Sequence, residues 1–137
     1  MGRVTTPLKL THYEDHARLQ AGGSVANVRT IECEALVDSG ATLLCLKRSI
    51  IDQLGLALLD SVTIRTANGP RPAGKFGPLW VEILGRACLC SALEVSEATP
   101  NLLGQIPLEE LDLVLDPKNQ RLLPNPAHGG VQSAEVY

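Results

Sequence analysis

Ala35-Leu36-Val37-Asp38-Ser39-Gly40-Ala41-Thr42 is the stretch on which the fold reading turns. An apolar strand stops at a carboxylate, and a small hydroxyl residue, a glycine and another small residue follow. Asp-Ser-Gly is by itself ordinary turn chemistry. Average residue usage puts Asp-[Ser/Thr]-Gly-Ala by chance in on the order of one in a few hundred chains of this length. The strand feeding the turn is expected over residues 28–37, with Ile31, Cys33, Ala35 and Val37 on one face.

Toward the N-terminus, Val4, Thr6, Leu8 and Leu10 alternate with polar neighbours, and Pro7 makes that strand an edge or a start. Thr11-His12-Tyr13-Glu14 has capping-box spacing for a helix to Leu19, stopped by Gly22-Gly23. In the other direction, residues 43–46 form a short strand, and Ser49 is placed to cap a helix to Leu54 with Gly55 as its stop. Residues 62–66 are β-rich, and Asn68-Gly69 signals a turn that Pro70 and Pro72 extend. Residues 79–84 and 87–93 flank Gly85-Arg86, a hairpin loop of the Gly-first type. Leu102-Leu103-Gly104 precedes a helical stretch near residues 107–111. A last hairpin runs from Leu113 to Leu123 through a turn at residues 116–119. From Pro124 the composition shifts to Pro, Gly and Ser, so residues 124–137 read as a loose tail. The expected fold class is all-β, mainly strands with two or three short helices and no internal repeat.

Length and composition bound the function. The 137 residues fit one domain, and 45% hydrophobic content supports a packed core. Aromatics are 3%, so that core is aliphatic. A net charge of −3 offers no basic footprint for nucleic acid. No apolar run approaches the roughly 20 residues of a membrane span, and residues 1–10 lack the apolar stretch of a signal peptide. The expectation is a soluble, cytoplasmic protein whose Cys33, Cys45, Cys88 and Cys90 stay reduced. Cys88-x-Cys90 has no second pair at zinc spacing, so these thiols read as buried small hydrophobes and no metal site is expected. His12, His16 and His128 stand near no partner pattern and read as surface or structural.

The segment around Asp38 resembles the active-site strand of aspartic proteases of the retroviral type, where an apolar pair precedes Asp-[Ser/Thr]-Gly-Ala. The order of elements from Ile31 to about Leu123 is also similar to that family. A strand at 43–46, a flap hairpin at 62–77, a long hairpin at 79–95 and Leu102-Leu103-Gly104 follow in turn. Thr99-Pro100-Asn101 resembles the family segment before that last element, and the N-terminal strand and helix look most like bacterial and archaeal members. The resemblance implies a closed β-barrel acid-protease domain over residues 1–123, one lobe per chain.

Such an enzyme needs two carboxylates about 3 Å apart sharing one proton, one acting as general base on water while the other donates to the scissile carbonyl. The resemblance makes Asp38, Ser39 and Gly40 the catalytic triplet, with the Ser39 hydroxyl bonding across to the partner loop. Only one Asp-[Ser/Thr]-Gly occurs in the chain, so the dyad implies a homodimer with one Asp38 from each chain on a two-fold axis. Leu36, Cys45, Pro100 and Leu102 match family positions lining side-chain pockets. Ala41 and Thr42 are expected among the substrate-binding residues, and Ala67, Asn68 and Gly69 form the flap tip, with Gly74 and Gly77 as flexible flanks. The implied activity is an endopeptidase on extended, apolar-flanked peptide or protein segments, without cofactor or metal. The alternative is a catalytically silent dimer that binds peptides in the same groove. Two places depart from the viral pattern: Thr42 stands where viral members commonly carry an acid, and Gln105 where they carry an arginine.

Overall fold

A computed structural model describes residues 3–134 and 136. Its elements are β1 (Thr5–His12), α1 (Tyr13–Gln20), β2 (Thr30–Val37), β3 (Leu44–Lys47), α2 (Arg48–Leu54), β4 (Ala57–Thr66), β5 (Gly69–Ile83), β6 (Arg86–Val95), β7 (Leu102–Leu103), α3 (Gln105–Leu111), β8 (Leu113–Asp116) and β9 (Arg121–Pro124). The protein is mostly β, as the alternating pattern predicts.

Seven strands lie in the order β1-β2-β7-β3-β6-β5-β4, and an additional β1–β5 pairing links the first strand back to the sixth. The result is a ring of six strands, with β4 hanging from β5 outside it. Period-two burial fixes the register of β1 and β2, because a one-residue slip would turn the apolar face outward. Val4, just ahead of β1, and Thr6 and Leu8 within it are buried between exposed neighbours, and Leu10 is buried next to the exposed Lys9. Val4, Leu8 and Leu10 join Leu44, Leu46, Leu79, Val81, Ile83 and Leu103 in one aliphatic core, closed by Ile51 and Leu54 of α2 and Leu108 and Leu111 of α3. Each such side chain contributes about 1.5–3 kcal/mol of transfer free energy. His16 of α1 stacks on Trp80 of β5 at 4.2 Å between ring centroids.

Local signals were overridden at several places. Thr11 does not cap α1. It stays in β1 opposite Thr30, their hydroxyls 3.2 Å apart, and His12 takes the cap position with Nδ1 accepting from Glu14 N at 3.2 Å. Ser49 lies inside the first turn of α2, where its backbone N–H donates to Glu97 Oε2 at 3.2 Å; Lys47 holds the cap position without a side-chain bond. Gly55 does end that helix in the left-handed conformation, at φ 63°.

The turn expected through Pro70 and Pro72 is shorter than its proline content suggests. Thr66 pairs with Gly69 around a two-residue loop, Ala67-Asn68, and both prolines lie within β5. There β5 has β4 on one side, while its pairing with β6 begins only at Lys75. A strand proline is tolerated where its missing N–H would face no partner. The next loop is Leu84-Gly85 and not Gly85-Arg86: Ile83 pairs with Arg86, and both loop residues have positive φ, 51° and 77°.

The β8–β9 hairpin forms a separate two-stranded sheet. Beyond it, in the segment expected to be loose, a 3-10 turn at Pro126–His128 and the residues after it bond back to the body. Asp112, the left-handed residue ending α3, accepts His128 Nδ1 at 2.6 Å, Ser133 N at 3.0 Å and Asn125 Nδ2 at 3.3 Å. Arg86 donates to Leu111 O, Asp112 O and Gly130 O.

Candidate active site

Asp38 follows the last residue of β2 at the point where that strand leaves the sheet. Its backbone N–H donates to Leu103 O at 3.0 Å, and its carbonyl accepts Ala41 N at 3.0 Å, so the carboxylate stands on a tight turn pinned to β7. Oδ1 accepts the Gly40 N–H at 2.9 Å, while Oδ2 has no hydrogen bond among the described residues. A Cβ at Gly40 would come within 3.1 Å of Oδ1, so this position leaves the carboxylate little room for a larger neighbour. Ser39 is exposed, and its hydroxyl has no partner among the described residues.

Further along, the loop after Asp38 is held to α3 through its backbone. Ala41 O accepts Gln105 N at 2.8 Å and Thr42 O accepts Ile106 N at 2.9 Å, so the first amides of α3 are satisfied by this loop. Gly104 makes that approach possible. A Cβ there would sit 2.8 Å from Ala41 O and from Leu43 N, and closer still to Leu43 O. Thus Leu102-Leu103-Gly104 and Ala41-Thr42 are two halves of one clasp. Gln105, at the place of the viral arginine, bonds its own helix through Nε2 to Glu109 Oε1 at 3.0 Å, and Thr42 is exposed.

Strand register assembles a second apolar surface beside the carboxylate. Leu36 pairs with Leu102, Leu102 with Cys45, Cys45 with Leu93, and Leu93 with Lys75. Lateral partners share a face, so these five side chains form one row across β2, β7, β3, β6 and β5. Their neighbours Val37, Leu44, Ala92, Leu103 and Phe76 face the main core instead. Cys45, Leu93 and Val95 form a separate cluster with Leu43, Leu102, Val62 and Ile64. Burial raises the Cys45 thiol above its ordinary range, and the negative charge of Asp38 adds to the effect.

Three of the expected pocket residues, Leu36, Cys45 and Leu102, therefore lie side by side. Pro100 is exposed in the preceding turn, outside the row. Ala67 and Asn68 are exposed at the hairpin tip, where Asn68 N and Gly69 O both bond to the Thr66 hydroxyl. No hydrogen bond joins the tip to Asp38 among the described residues; Val62 and Ile64, further down β4, meet the pocket cluster. The flanking Gly74 has a packing reason, since a Cβ there would meet the Phe76 ring at 2.6 Å.

Asn101 was not singled out from sequence for a role, yet it ties the site together. It is buried; Oδ1 accepts Lys47 N at 2.9 Å, Nδ2 donates to Glu34 O at 3.0 Å, and its carbonyl accepts Leu36 N at 2.8 Å. One side chain thus bridges β2 and β3 where they flank β7. An Asn between Pro100 and Leu102 carries no periodic signal, so only the folded register reveals it.

No group of three or more His, Cys, Asp or Glu placed to hold a metal ion occurs among the described residues. All four cysteines are free, and no described helix is long and apolar enough to cross a membrane. Residues 21–81 match the model of a family described as aspartyl protease. That stretch contains β2, the Asp38 turn, β3, α2, β4 and β5 as far as Val81. No curated protein matches the chain.

Proposed function

We propose that the chain is an aspartic endopeptidase of retropepsin-like build, in which two copies each contribute one Asp38. The observation that carries this reading is the geometry of Asp38. One carboxylate oxygen is fixed by the Gly40 amide, the other has no hydrogen bond among the described residues, and the whole turn is anchored to β7 next to an apolar row. Similarity to aspartyl proteases over residues 21–81 supports it. A lone carboxylate cannot be base and acid in one step; two sharing a proton can. The exposed Ser39 hydroxyl and Ile106, 46% exposed beside the same loop, suit an end that meets a second copy. Water held between the carboxylates would attack the scissile carbonyl of an extended peptide, with Leu36, Leu102 and Cys45 receiving apolar side chains and the β4–β5 hairpin covering it as a flap. Four reduced thiols are compatible with work in the cytoplasm.

Cleavage of a mixed peptide library from pH 3 to 7, wild type beside Asp38→Asn, tests the reading. Wild type should cut with a bell-shaped pH profile belonging to the pair, and Asp38→Asn should lose at least about a hundredfold in rate. Equal cleavage by both chains would end the proposal. A folded dimer that binds peptides and cuts none would make the groove a binding module.

A further inference from the structure

The apolar row beside Asp38 does not end in an apolar residue. Its last member is Lys75, half-buried, on the same face as Leu93, Cys45, Leu102 and Leu36. Arg71 lies four residues earlier on β5 and shares that face. On the paired strand β4 the same face carries Val62 and Ile64, which pack on the pocket cluster, and Asp60, opposite Lys75. Neither Lys75 nor Arg71 makes an ion pair within 4.0 Å among the described residues, although six such pairs form elsewhere. Asp60 makes no ion pair with Lys75 among the described residues: it is exposed, and its Oδ1 accepts its neighbour Ser61 N at 2.8 Å. Lys47, the other cation near this face, lies close enough to Glu97 to help hold that carboxyl below its usual range.

A half-buried cation without an ion pair among the described residues, at the end of an apolar row in a chain of net charge −3, is an unmet electrostatic demand. An ammonium in that setting attracts a carboxylate more strongly than it would on an open surface. We propose that the groove selects peptides bearing an acidic side chain next to the apolar residue seated on Leu36, Leu102 and Cys45, with Lys75 as the specificity-determining residue and Arg71 reinforcing it. The inference rests on the reading of this face as the substrate groove. In a two-fold dimer the demand is duplicated, so the favoured peptide carries acids on both sides of its apolar centre.

The test is equilibrium binding of short fluorescent apolar peptides in which one Glu, or its neutral counterpart Gln, is walked along the sequence. The Asp38→Asn chain serves as receptor so that nothing is cut. At one spacing the Glu peptide should bind about tenfold tighter than the Gln peptide, and 1 M salt should erase most of the difference. Lys75→Gln should abolish the preference and Lys75→Glu should reverse it. Asp60→Asn, which leaves the lysine in place, should strengthen it. An unchanged preference in folded Lys75→Gln, no Glu/Gln difference at any spacing, or no binding of any peptide would overturn the inference. Failures remain distinguishable. Cleavage by wild type without a Glu/Gln difference leaves the protease and removes the acid selection; Lys75-dependent binding without wild-type cleavage does the reverse.

Discussion

Asp15 is only 6% exposed, and a buried carboxylate is stable only when its charge is met. Arg29 meets it three times, through its backbone N at 2.8 Å, Nε at 2.8 Å and Nη2 at 3.0 Å. These bonds hold the Asp15 carboxyl well below the usual carboxylate range, against the opposing effect of burial. Asp112 is lowered too, chiefly by His128. A folded pKa below the unfolded one gives stability that is complete above the unfolded value of about 4 and is lost as pH falls through the folded value. The melting temperature should therefore lose nothing from these groups between pH 7 and 5, and fall below pH 4. Asp15→Asn should melt lower than wild type at pH 7, with the gap narrowing as pH approaches 2; parallel curves would refute the assignment. None of this was readable in the sequence, where Asp15 and Arg29 are fourteen positions apart and each looks like an ordinary surface charge. The turn at Asp38-Ser39-Gly40 could be singled out as a candidate because its residues are consecutive. Asn101, Leu93 and Lys75 could not, because pairing between distant strands brings them to the face beside Asp38.

Among the elements, strands were legible wherever one face is buried: β1 announces itself by Val4, Thr6, Leu8 and Leu10. Ends and turns were less so, since tertiary pairing can outbid a local signal. Thr11 has the right spacing for a cap but is consumed by its pairing with Thr30. Gly85-Arg86 is a good loop in isolation, yet the burial of Val81 and Ile83 and the pairing of Ile83 with Arg86 move the turn one residue back. The cost falls on Leu84, a branched side chain held at φ 51° and 53% exposed. A left-handed conformation costs an L residue other than Gly or Asn about 1–2 kcal/mol. Asn-Gly is the preferred pair for a loop with two positive φ values. Leu84→Asn should accordingly stabilise the protein by about 1 kcal/mol, raising the thermal midpoint by roughly 3 °C. Scanning calorimetry would read this, and an unchanged or lower midpoint would mean that Leu84 contributes packing unseen in its exposure.

At the scale of the whole molecule, the proposed dimer makes activity a matter of concentration. Each chain carries one Asp38, so dissociation should silence it. Specific activity should fall steeply on dilution once the chain drops below its dimer dissociation constant. Premixing wild type with an equal amount of Asp38→Asn leaves roughly a quarter of the dimers with two carboxylates. Activity should then drop to about half of that seen when the same wild type is mixed with buffer, provided exchange is complete. Activity proportional to wild-type concentration in both experiments would exclude a shared site. The clasp between residues 41–42 and 104–106 bears on how such a protein can change over time. Its bonds run from main chain to main chain, so the identities of Ala41, Thr42, Gln105 and Ile106 are only loosely tied to the shape they make. Gly104 is the exception, because any side chain there would collide with the loop. The framework around the carboxylate thus hangs on very few letters of the sequence, and the remainder of the loop is free to drift toward new substrates or a new partner without the turn at Asp38 being rebuilt.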